Sequence, residues 1–266
     1  MNPVRGEAPL RDLLLVLNGT EERLQIVLGR PIGNKHELLA GQDWTVTKQS
    51  LKFLAPAVDG MLRLFGARPA DLARIACVRG PGGFTGTRLA LAAAHGIAAG
   101  GGQLLAGLDV LPVHALGATG LFPGTLHVVT HSRRRQVYLQ SFEARTGAPL
   151  TGPLPLTLEE AATHLADRPG PHTLLGTGIR NNREFFDGLL PRLDRATLLS
   201  EEWNVPRHDT LLRAASSAEY SRGPVEPLYL RPSDAEDNLD DIARKRGLDP
   251  VRAHAILARA TGRAGS

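Results

Sequence analysis

The apolar positions near the start of the chain come in short runs that are separated by turn residues. One run spans residues 12–18 and ends at an Asn-Gly pair, and the next spans 23–28 and ends at Gly29. Short apolar runs bounded by Gly, Pro and Asn are typical of strands. With a third stretch at 35–42, they predict an antiparallel meander of three strands.

The hydrophobic period changes to that of a helix over residues 47–65, and Gly66 supplies the stop. This predicted helix carries two apolar stripes, whereas a surface helix needs only one. Either the helix is sandwiched within its own domain, or its outer face meets a partner. Pro56 and Gly60 inside it predict a kink. The first stripe comprises Leu51, Leu54, Ala55, Val58, Leu62 and Phe65, and the second comprises Phe53, Ala57, Met61 and Leu64.

The next predicted strand, at 73–78, runs directly into a glycine-rich turn, and a helix of small residues follows to about residue 99. A short strand at 104–107 and a helix at 108–116 come after it, because proline is tolerated in the first turn of a helix. The proline- and glycine-rich stretch 117–124 then predicts a boundary between two lobes.

The second half of the chain repeats this mixture of strands and helices. Its pattern predicts strands at 125–130, 136–142 and 172–175, and helices at 156–166 and 180–190. Two lobes, each a mixed sheet with helices, are the economical interpretation. The sequence therefore predicts an α/β protein.

The chain changes character again after Pro232. An acidic stretch at 233–241 is followed by a short basic one, and an Asp-Pro pair at 249–250 opens a final predicted helix. The predicted divisions of the chain are an N-terminal lobe at 1–117, a C-terminal lobe at 118–232 and a helical extension at 233–266.

Composition narrows the class of protein. The 266 residues are 42% hydrophobic and 22% charged, which excludes a disordered tail and a collagen-like fibre. The single cysteine, Cys77, lies in a predicted buried strand and excludes an internal disulfide. No run of eighteen apolar residues and no signal-peptide core is present. We therefore expect a cytoplasmic protein that does not enter a membrane.

The net charge of +4 does not by itself indicate nucleic-acid binding. Only four of the 31 basic residues are lysines, and the arginines are spread along the chain. A direct nucleic-acid binder would usually concentrate its charge in a patch or stripe.

The glycine-rich turn at 79–88 is the strongest chemical motif. A strand, a glycine-rich turn and a helix N-terminus form a place where backbone N–H groups can hold an anion. The turn has neither the Gly-Lys-Ser/Thr of a Walker A loop nor a G-x-G-x-x-G fingerprint. Two interpretations stay open: a phosphate-binding loop, and a tight structural turn that packs strand against helix.

The same ten residues, R-G-P-G-G-F-T-G-T-R, resemble the R-G-P-G-S-F-T-G-x-R signature of the TsaB (YeaZ) family, with Gly83 in place of serine. We call residues 79–88 the signature loop. The resemblance implies that this loop contacts a partner protein or a nucleotide. The candidate residues are Arg79, Gly80, Pro81, Gly82, Gly83, Phe84, Thr85, Gly86 and Arg88.

Other segments agree with the family pattern in order, over residues 12–232. Residues 14–28 resemble its first hairpin, and residues 49–58 its first long helix. Two motifs of the second lobe also match: a hairpin with V-Y after an arginine, and a P-x-Y-L-R ending. The residues that carry these two motifs are Arg133, Tyr138, Tyr229 and Arg231.

The resemblance implies a two-lobed fold of the actin/Hsp70/sugar-kinase type. It also implies a non-catalytic subunit that pairs with its catalytic paralogue TsaD and supports the ATPase TsaE. Together these transfer threonylcarbamoyl to the adenosine beside the tRNA anticodon. ATP would be a requirement of the complex, with no cofactor in the chain itself. The partner face would lie on the helices at 47–65 and 86–99, and the same helices could form a homodimer. Its candidate residues are Leu51, Phe53, Leu54, Ala57, Met61, Ala90 and Ala94.

The sequence departs from the family pattern where catalysis would need an acid. Phosphoryl transfer requires carboxylates that hold a metal ion. Asn18 stands at the end of the first strand, where the family commonly keeps aspartate, and His131-Ser132-Arg133 replaces its D-A-R. These departures favour a non-catalytic subunit.

Two other functions remain as alternatives. An active kinase or ATPase of the same fold would bind phosphate at residues 80–86. A direct tRNA binder would use the arginines at 133–135.

A metal site is not expected. His127 and His131 have an H-x-x-x-H spacing, but on a strand four residues span about 13 Å, too far to share one ion.

Overall fold

The protein was analysed in a computed structural model. The structure describes residues 10–21, 23–45, 50–231 and 239–260. The chain divides into two compact units, Met1–Leu228 and Tyr229–Ser266, and the first unit holds both lobes.

The first lobe is built on a five-stranded mixed sheet flanked by helices. Its strands are β1 (Leu13–Asn18), β2 (Arg23–Ile32), β3 (Lys35–Thr45), β4 (Leu72–Gly80) and β5 (Leu104–Asp109), and its helices are α1 (Ser50–Leu64), α2 (Phe84–Gly101) and α3 (Val110–Ala118). The strand order is β3-β2-β1-β4-β5, with β1, β2 and β3 antiparallel and β4 and β5 parallel to β1. Every strand predicted for this half is confirmed.

Strand β1 lies at the centre of this sheet and is buried along its whole length. Because both faces of such a strand are covered, its sequence is an uninterrupted apolar run rather than an alternation. Leu15, Ile26 and Ile75 from neighbouring strands belong to the core of this lobe, and Cys77 is buried there as predicted.

Helix α1 begins at Ser50, and the predicted start at 47–49 lies outside the described residues. The helix continues through Pro56 as one element. Its Leu54, Val58 and Leu62 side chains are buried in the core of the first lobe. The first of the two predicted stripes is thus the core-facing one.

The second lobe has its own five-stranded sheet. Its elements are β6 (Thr125–Arg133), β7 (Gln136–Glu143), β8 (Leu154–Thr157), α4 (Leu158–Ala166), β9 (His172–Leu175), α5 (Thr177–Arg180), α6 (Arg183–Leu189), β10 (Thr197–Leu198) and α7 (His208–Ser216). The order is β10-β9-β6-β7-β8, with β9 parallel to β6 and β7 antiparallel to it. The predicted strands and the duplicated mixed sheet are confirmed.

Two predicted helices of this lobe have different bounds. The helix at 156–166 starts only at Leu158, because Thr157 caps it by accepting the amide of Glu160 in a capping box. The residues before it form β8. The helix at 180–190 is instead two short helices, α5 and α6.

The chain returns to the first lobe through α7, which the sequence pattern did not predict. Helix α7 contacts β2 and β3. We call the segment that follows it, residues 217–228, the strap. Its Ser221 exchanges two backbone hydrogen bonds with Leu105 on β5, of 2.8 and 2.9 Å. The strap therefore covers an edge strand of the first sheet, which would otherwise expose unpaired backbone groups.

The second unit contains a pair of helices, α8 (Leu239–Lys245) and α9 (Pro250–Ala260). The final predicted helix is confirmed as α9, whereas α8 was not predicted. His254 Nε2 on α9 lies 2.8 Å from Asp240 Oδ1 on α8. Most of the acidic stretch at 233–241 lies outside the described residues. Within the described part of the chain, no helix is long and apolar enough to span a bilayer.

Candidate functional site

A cleft of about 510 Å³ lies between the two lobes. This volume is in the range of small-molecule sites. Its lining includes four positions at which the sequence departs from the pattern it resembles: Asn18, Gly83, His131 and Ser132. These four positions are far apart in the sequence, but all of them line the same cleft. The departures from the family pattern therefore change the chemical character of that cleft.

The Asn18 side chain is fully occupied by the protein itself. Its Nδ2 donates to Gln25 Oε1 over 2.8 Å, and its Oδ1 accepts from the amide and hydroxyl of Thr20 over 3.0 and 2.7 Å. Gln25 Nε2 in turn donates to the carbonyl of Pro206, at 2.8 Å. All three side chains are buried. Asn18 therefore fixes the end of β1 and offers no negative charge for a metal ion.

The signature loop packs tightly on the turn between β1 and β2. A Cβ atom placed on Gly86 would overlap the carbonyl oxygen of Gly19, and a Cβ on Gly19 would overlap that of Gly86. A Cβ on Gly82 would be less crowded, 3.3 Å from Thr20 Cβ, and one on Gly83 would lie 3.4 Å from the Glu21 amide nitrogen. Gly19 and Gly86 are thus required by backbone contact within the protein. This favours the structural-turn interpretation over the phosphate-binding one.

The two arginines that frame the loop both have protein partners. Arg79 Nε donates to Asp109 Oδ1 over 2.6 Å, and the Arg79 carbonyl accepts from the amide of Leu228 over 2.8 Å. The Arg88 guanidinium carbon lies 3.7 Å from the centre of the Phe84 ring. Both arginines therefore act in holding the loop in place.

The remaining loop residues have contrasting environments. Gly80 has a φ of +112°, which favours glycine, and a Cβ there would lie 3.1 Å from the Leu228 carbonyl oxygen. Pro81 is buried, whereas Thr85 is exposed. Phe84, Thr85 and Arg88 are the exposed side chains of the loop.

One side chain crosses the cleft. The carboxylate of Glu21, on the first lobe, accepts a hydrogen bond from Thr177 Oγ1 on the second. The same hydroxyl oxygen accepts the amide of His131 over 3.0 Å. Because Glu21 also contacts Gly83, the signature loop, the β1–β2 turn and the second lobe form one connected series.

His114 on α3 is a member of the cleft wall that no sequence motif indicated. It is 3% exposed, and its ring lies near the backbone carbonyl of Trp203. Burial lowers the pKa of His114 to about 4, so the ring is neutral at pH 7. Its Nε2 atom and the Ser132 Oγ atom are buried without a hydrogen-bond partner among the described residues.

The candidate partner residues divide into exposed and buried groups. Phe53 on α1 is 37% exposed, and Ala57 is half-buried. Ala90 and Ala94 on α2 are fully buried in the core of the first lobe. Tight internal packing against the sheet, rather than a partner, accounts for these two alanines.

Two more candidates on α1 face inward, and one is not described. Leu54 and Met61 are buried in the same core. The side chain of Leu51 lies outside the described residues. The second predicted stripe is therefore not a continuous outer face, because Met61 interrupts it, although Leu64 is 78% exposed.

The second-lobe motif residues are divided between the two compact units. Arg133 is half-buried and its Nε donates to Gln136 Oε1 over 2.9 Å. Tyr138 is buried within β7. Tyr229 and Arg231 belong to the second compact unit, where Tyr229 is exposed.

His127 belongs to a buried polar cluster. Its neighbours there are other residues than His131, with which it shares the H-x-x-x-H spacing. Its Nε2 lies 3.0 Å from His172 Nδ1 on β9, and its Nδ1 lies 2.9 Å from Ser141 Oγ. Ser141 Oγ is also 3.1 Å from His164 Nε2. Burial lowers the pKa of His127 to about 3, so these rings pack as neutral groups. As predicted, His127 and His131 both lie on a strand, β6.

The fold now defines a class. Two mixed sheets of five strands, duplicated around a cleft, form the two-lobed fold of the actin/Hsp70/sugar-kinase type, as expected. A structure of YeaZ from Pseudomonas aeruginosa is 20% identical to this chain, with a TM-score of 0.62, and the match covers 82% of this chain and 100% of that chain.

A second structure from the same organism, described as an uncharacterized protein with similarity to peptidase YeaZ, gives 20% identity and a TM-score of 0.63. The match covers 83% of this chain and 100% of that one. The family model for "TsaD: tRNA N6-adenosine threonylcarbamoyltransferase" matches residues 45–149. No curated protein matches the chain by sequence. The resemblance to TsaB (YeaZ) is confirmed by the fold and by this family model.

Proposed function

We propose that the chain is a TsaB-type subunit of the complex that installs threonylcarbamoyl on the adenosine beside the tRNA anticodon. In this role it has no catalytic centre of its own. It pairs with a TsaD-type catalytic paralogue, supports a TsaE-type ATPase and works in the cytoplasm, where its tRNA substrate is found.

The observation that carries the non-catalytic role is the contact between the signature loop and the β1–β2 turn. In a phosphoryl-transfer protein, glycine-rich backbone must remain open to phosphate oxygens. Here Gly19 and Gly86 lie against each other's backbone. Asn18, which would have to hold a metal ion, is neutral and bonded to Gln25 and Thr20.

This arrangement argues against the alternative of an active kinase or ATPase. The loop arginines are committed to Asp109 and Phe84 rather than to an open anion site. Among the described residues, no group of three potential metal ligands occurs. Peptidase chemistry has no support either, because the Cys77 thiol is buried and its pKa is raised by desolvation.

The direct tRNA-binding alternative rests on the arginines at 133–135. Arg135 forms an ion pair with Glu159, and Arg133 is bonded to Gln136. Arg134 and Arg135 are exposed. Two exposed arginines supply little of the phosphate neutralisation that RNA binding needs, so tRNA would be held mainly through the complex.

The partner face that we propose uses the exposed apolar side chains of α1 and α2, which contact each other. These are Phe53 and Leu64 on α1 and Phe84 at the start of α2. Large apolar side chains exposed on two contacting helices fit a protein–protein contact site. The same face could pair two copies of this chain, and a homodimer would then compete with the heterodimer.

Reconstitution tests this function. The chain, the TsaD- and TsaE-type subunits of the same organism, tRNA, ATP and preformed threonylcarbamoyl-adenylate are combined, and the modified nucleoside is quantified in tRNA digests by mass spectrometry. We expect product only when the chain is present, and no ATP hydrolysis by the chain alone. Full modification without the chain, or ATP turnover by the chain alone, would contradict the proposal.

A further inference from the structure

The inter-lobe cleft retains polar atoms that the protein does not satisfy. His114 Nε2 and Ser132 Oγ are both buried, both line the cleft, and neither has a hydrogen-bond partner among the described residues. A buried polar atom without a partner is costly, and native proteins usually satisfy it with a ligand or an ordered water. His114 comes from the first lobe and Ser132 from the second, so both sides of the cleft present an unfilled position.

The ring of His114 lies near the Trp203 carbonyl. In a neutral imidazole one nitrogen donates and the other accepts, and a hydroxyl group can pair with Nε2 in either tautomer. Ser132 Oγ can both donate and accept.

The charge of the cleft argues against a phosphorylated ligand. Its walls carry three carboxylates, Glu21, Glu201 and Glu202, against two guanidinium groups, Arg23 and Arg180. A polyphosphate would meet a slight excess of negative charge. The glycine loop beside it is already packed on the β1–β2 turn.

The remaining lining is rich in hydroxyl and carboxamide groups. Apart from the two imidazoles, the described lining residues include no aromatic ring, so a stacked planar base finds no platform. Hydroxyls and carboxamides donate and accept in the way that an alcohol group does. The hydroxyl and carboxamide residues are Asn18, Thr20, Gln25, Thr45, Ser132, Thr177, Asn181 and Asn204. Asn18, Thr20, Gln25, Thr177 and Asn204 also form hydrogen bonds within the protein, whereas the Ser132 hydroxyl oxygen is buried without a partner among the described residues.

We infer that the cleft binds a small uncharged polyhydroxyl ligand, whose hydroxyl groups exchange hydrogen bonds with His114 Nε2 and with Ser132 Oγ. Two sources share this chemistry, a free sugar and the ribose of a nucleoside. A ligand of either kind fits a cavity of about 510 Å³. Binding needs no partner subunit, so its failure would leave the proposed assembly untouched.

The experiment is an NMR titration of the full chain with D-ribose, D-glucose, adenosine and MgATP as separate probes. We expect saturable binding of a sugar or of adenosine, with MgATP no tighter than adenosine. Equal affinity for ribose and adenosine identifies the sugar alone as the ligand, and tighter binding of adenosine identifies a nucleoside.

Two variants locate the binding. Ser132→Ala removes one hydroxyl, and His114→Asn keeps a polar side chain while removing the ring that carries Nε2. Each should weaken binding by about 5- to 10-fold, as loss of one hydrogen bond does. Ser217→Ala, exposed at the end of α7, is the matched control and should change nothing.

Three results would overturn the inference: no saturable binding of ribose, glucose or adenosine; affinity unchanged in both cleft variants; or MgATP binding more tightly than adenosine. The last would point to phosphate recognition instead. Thermal unfolding shows whether each variant is folded. If His114→Asn does not fold, the test rests on Ser132→Ala.

Discussion

Gly19 and Gly86 lie so close that each residue's carbonyl oxygen occupies the space of a side chain on the other. This contact joins the turn after the central strand β1 to the first turn of α2. It explains why glycine is needed at both positions, and it connects the two glycine-containing motifs of the first lobe.

Replacing Gly86 with alanine should therefore destabilise the fold. The added Cβ overlaps a backbone oxygen that cannot move without shifting β1, so we expect a loss of about 2–4 kcal/mol in the free energy of unfolding. Urea denaturation measures it. Gly96→Ala on the same helix is the matched control, because no atom lies within 4 Å of its Cβ position. It should be neutral or stabilising by up to about 1 kcal/mol. Equal effects of the two changes would contradict the contact.

The bond between Glu21 and Thr177 should contribute to holding the lobes together. Thr177→Val keeps the shape of the side chain but leaves both the Glu21 carboxylate and the His131 amide without this partner, and we expect a cost of about 1–3 kcal/mol. Hydrogen exchange should also speed up at residues 19–21 and 177–180. Glu21→Gln retains an acceptor oxygen and should cost less. Unchanged exchange in Thr177→Val would show that the bond does not restrain the lobes.

Acid should destabilise the protein before its carboxylates titrate. Unfolded histidine has a pKa near 6.5, whereas burial lowers the pKa of His127 to about 3 and of His114 to about 4. Below pH 6.5 the unfolded chain binds protons that the folded chain refuses, so stability falls as pH decreases. The slope is about 1.4 kcal/mol per pH unit for each such histidine.

Urea midpoints between pH 7 and pH 5 measure this dependence. The stability of the His114→Asn variant should depend less steeply on pH, because this variant has one buried histidine fewer to take up a proton on unfolding. A midpoint that stays constant or rises over this interval would contradict the burial of neutral histidines.

The strap should be part of the stable fold. A chain truncated after residue 217 loses the backbone pair between Ser221 and Leu105, the bond from the Val225 amide to His95 Nε2 and that from Leu228 to Arg79. At about 1 kcal/mol for each of these three contacts, Tm should fall by about 6–12 °C. Truncation after residue 231 keeps the strap and serves as the control. Equal melting of the two truncated chains would argue against the strap.

The sequence predicted the elements whose pattern is local. Strand β1 is a central strand, so its apolar run is continuous, and α9 begins at an Asp-Pro pair. The sequence analysis did not predict α7 or β8. Helix α7 nevertheless has an amphipathic pattern at least as pronounced as that of α1, with Leu211, Leu212 and Ala215 buried.

The site was predictable only in part. The signature loop and Asn18 were found because they stand in a recognisable motif. His114 was not, since its role depends on burial and on the Trp203 carbonyl, which is far away in sequence. Ala90 and Ala94 were placed on a partner face because small residues permit close packing, and the sequence does not say whether the neighbour is another chain or the protein's own sheet.

The most direct test of the account is the association of this chain with the TsaD-type subunit of the same organism, measured by analytical ultracentrifugation. Phe53→Asp places a charge on the exposed apolar face of α1, and Leu121→Asp, at an exposed apolar position outside α1 and α2, is the control. We expect a one-to-one complex that forms with the unmodified chain and with Leu121→Asp but not with Phe53→Asp. No complex with the unmodified chain, with or without ATP and the TsaE-type ATPase, would contradict the account.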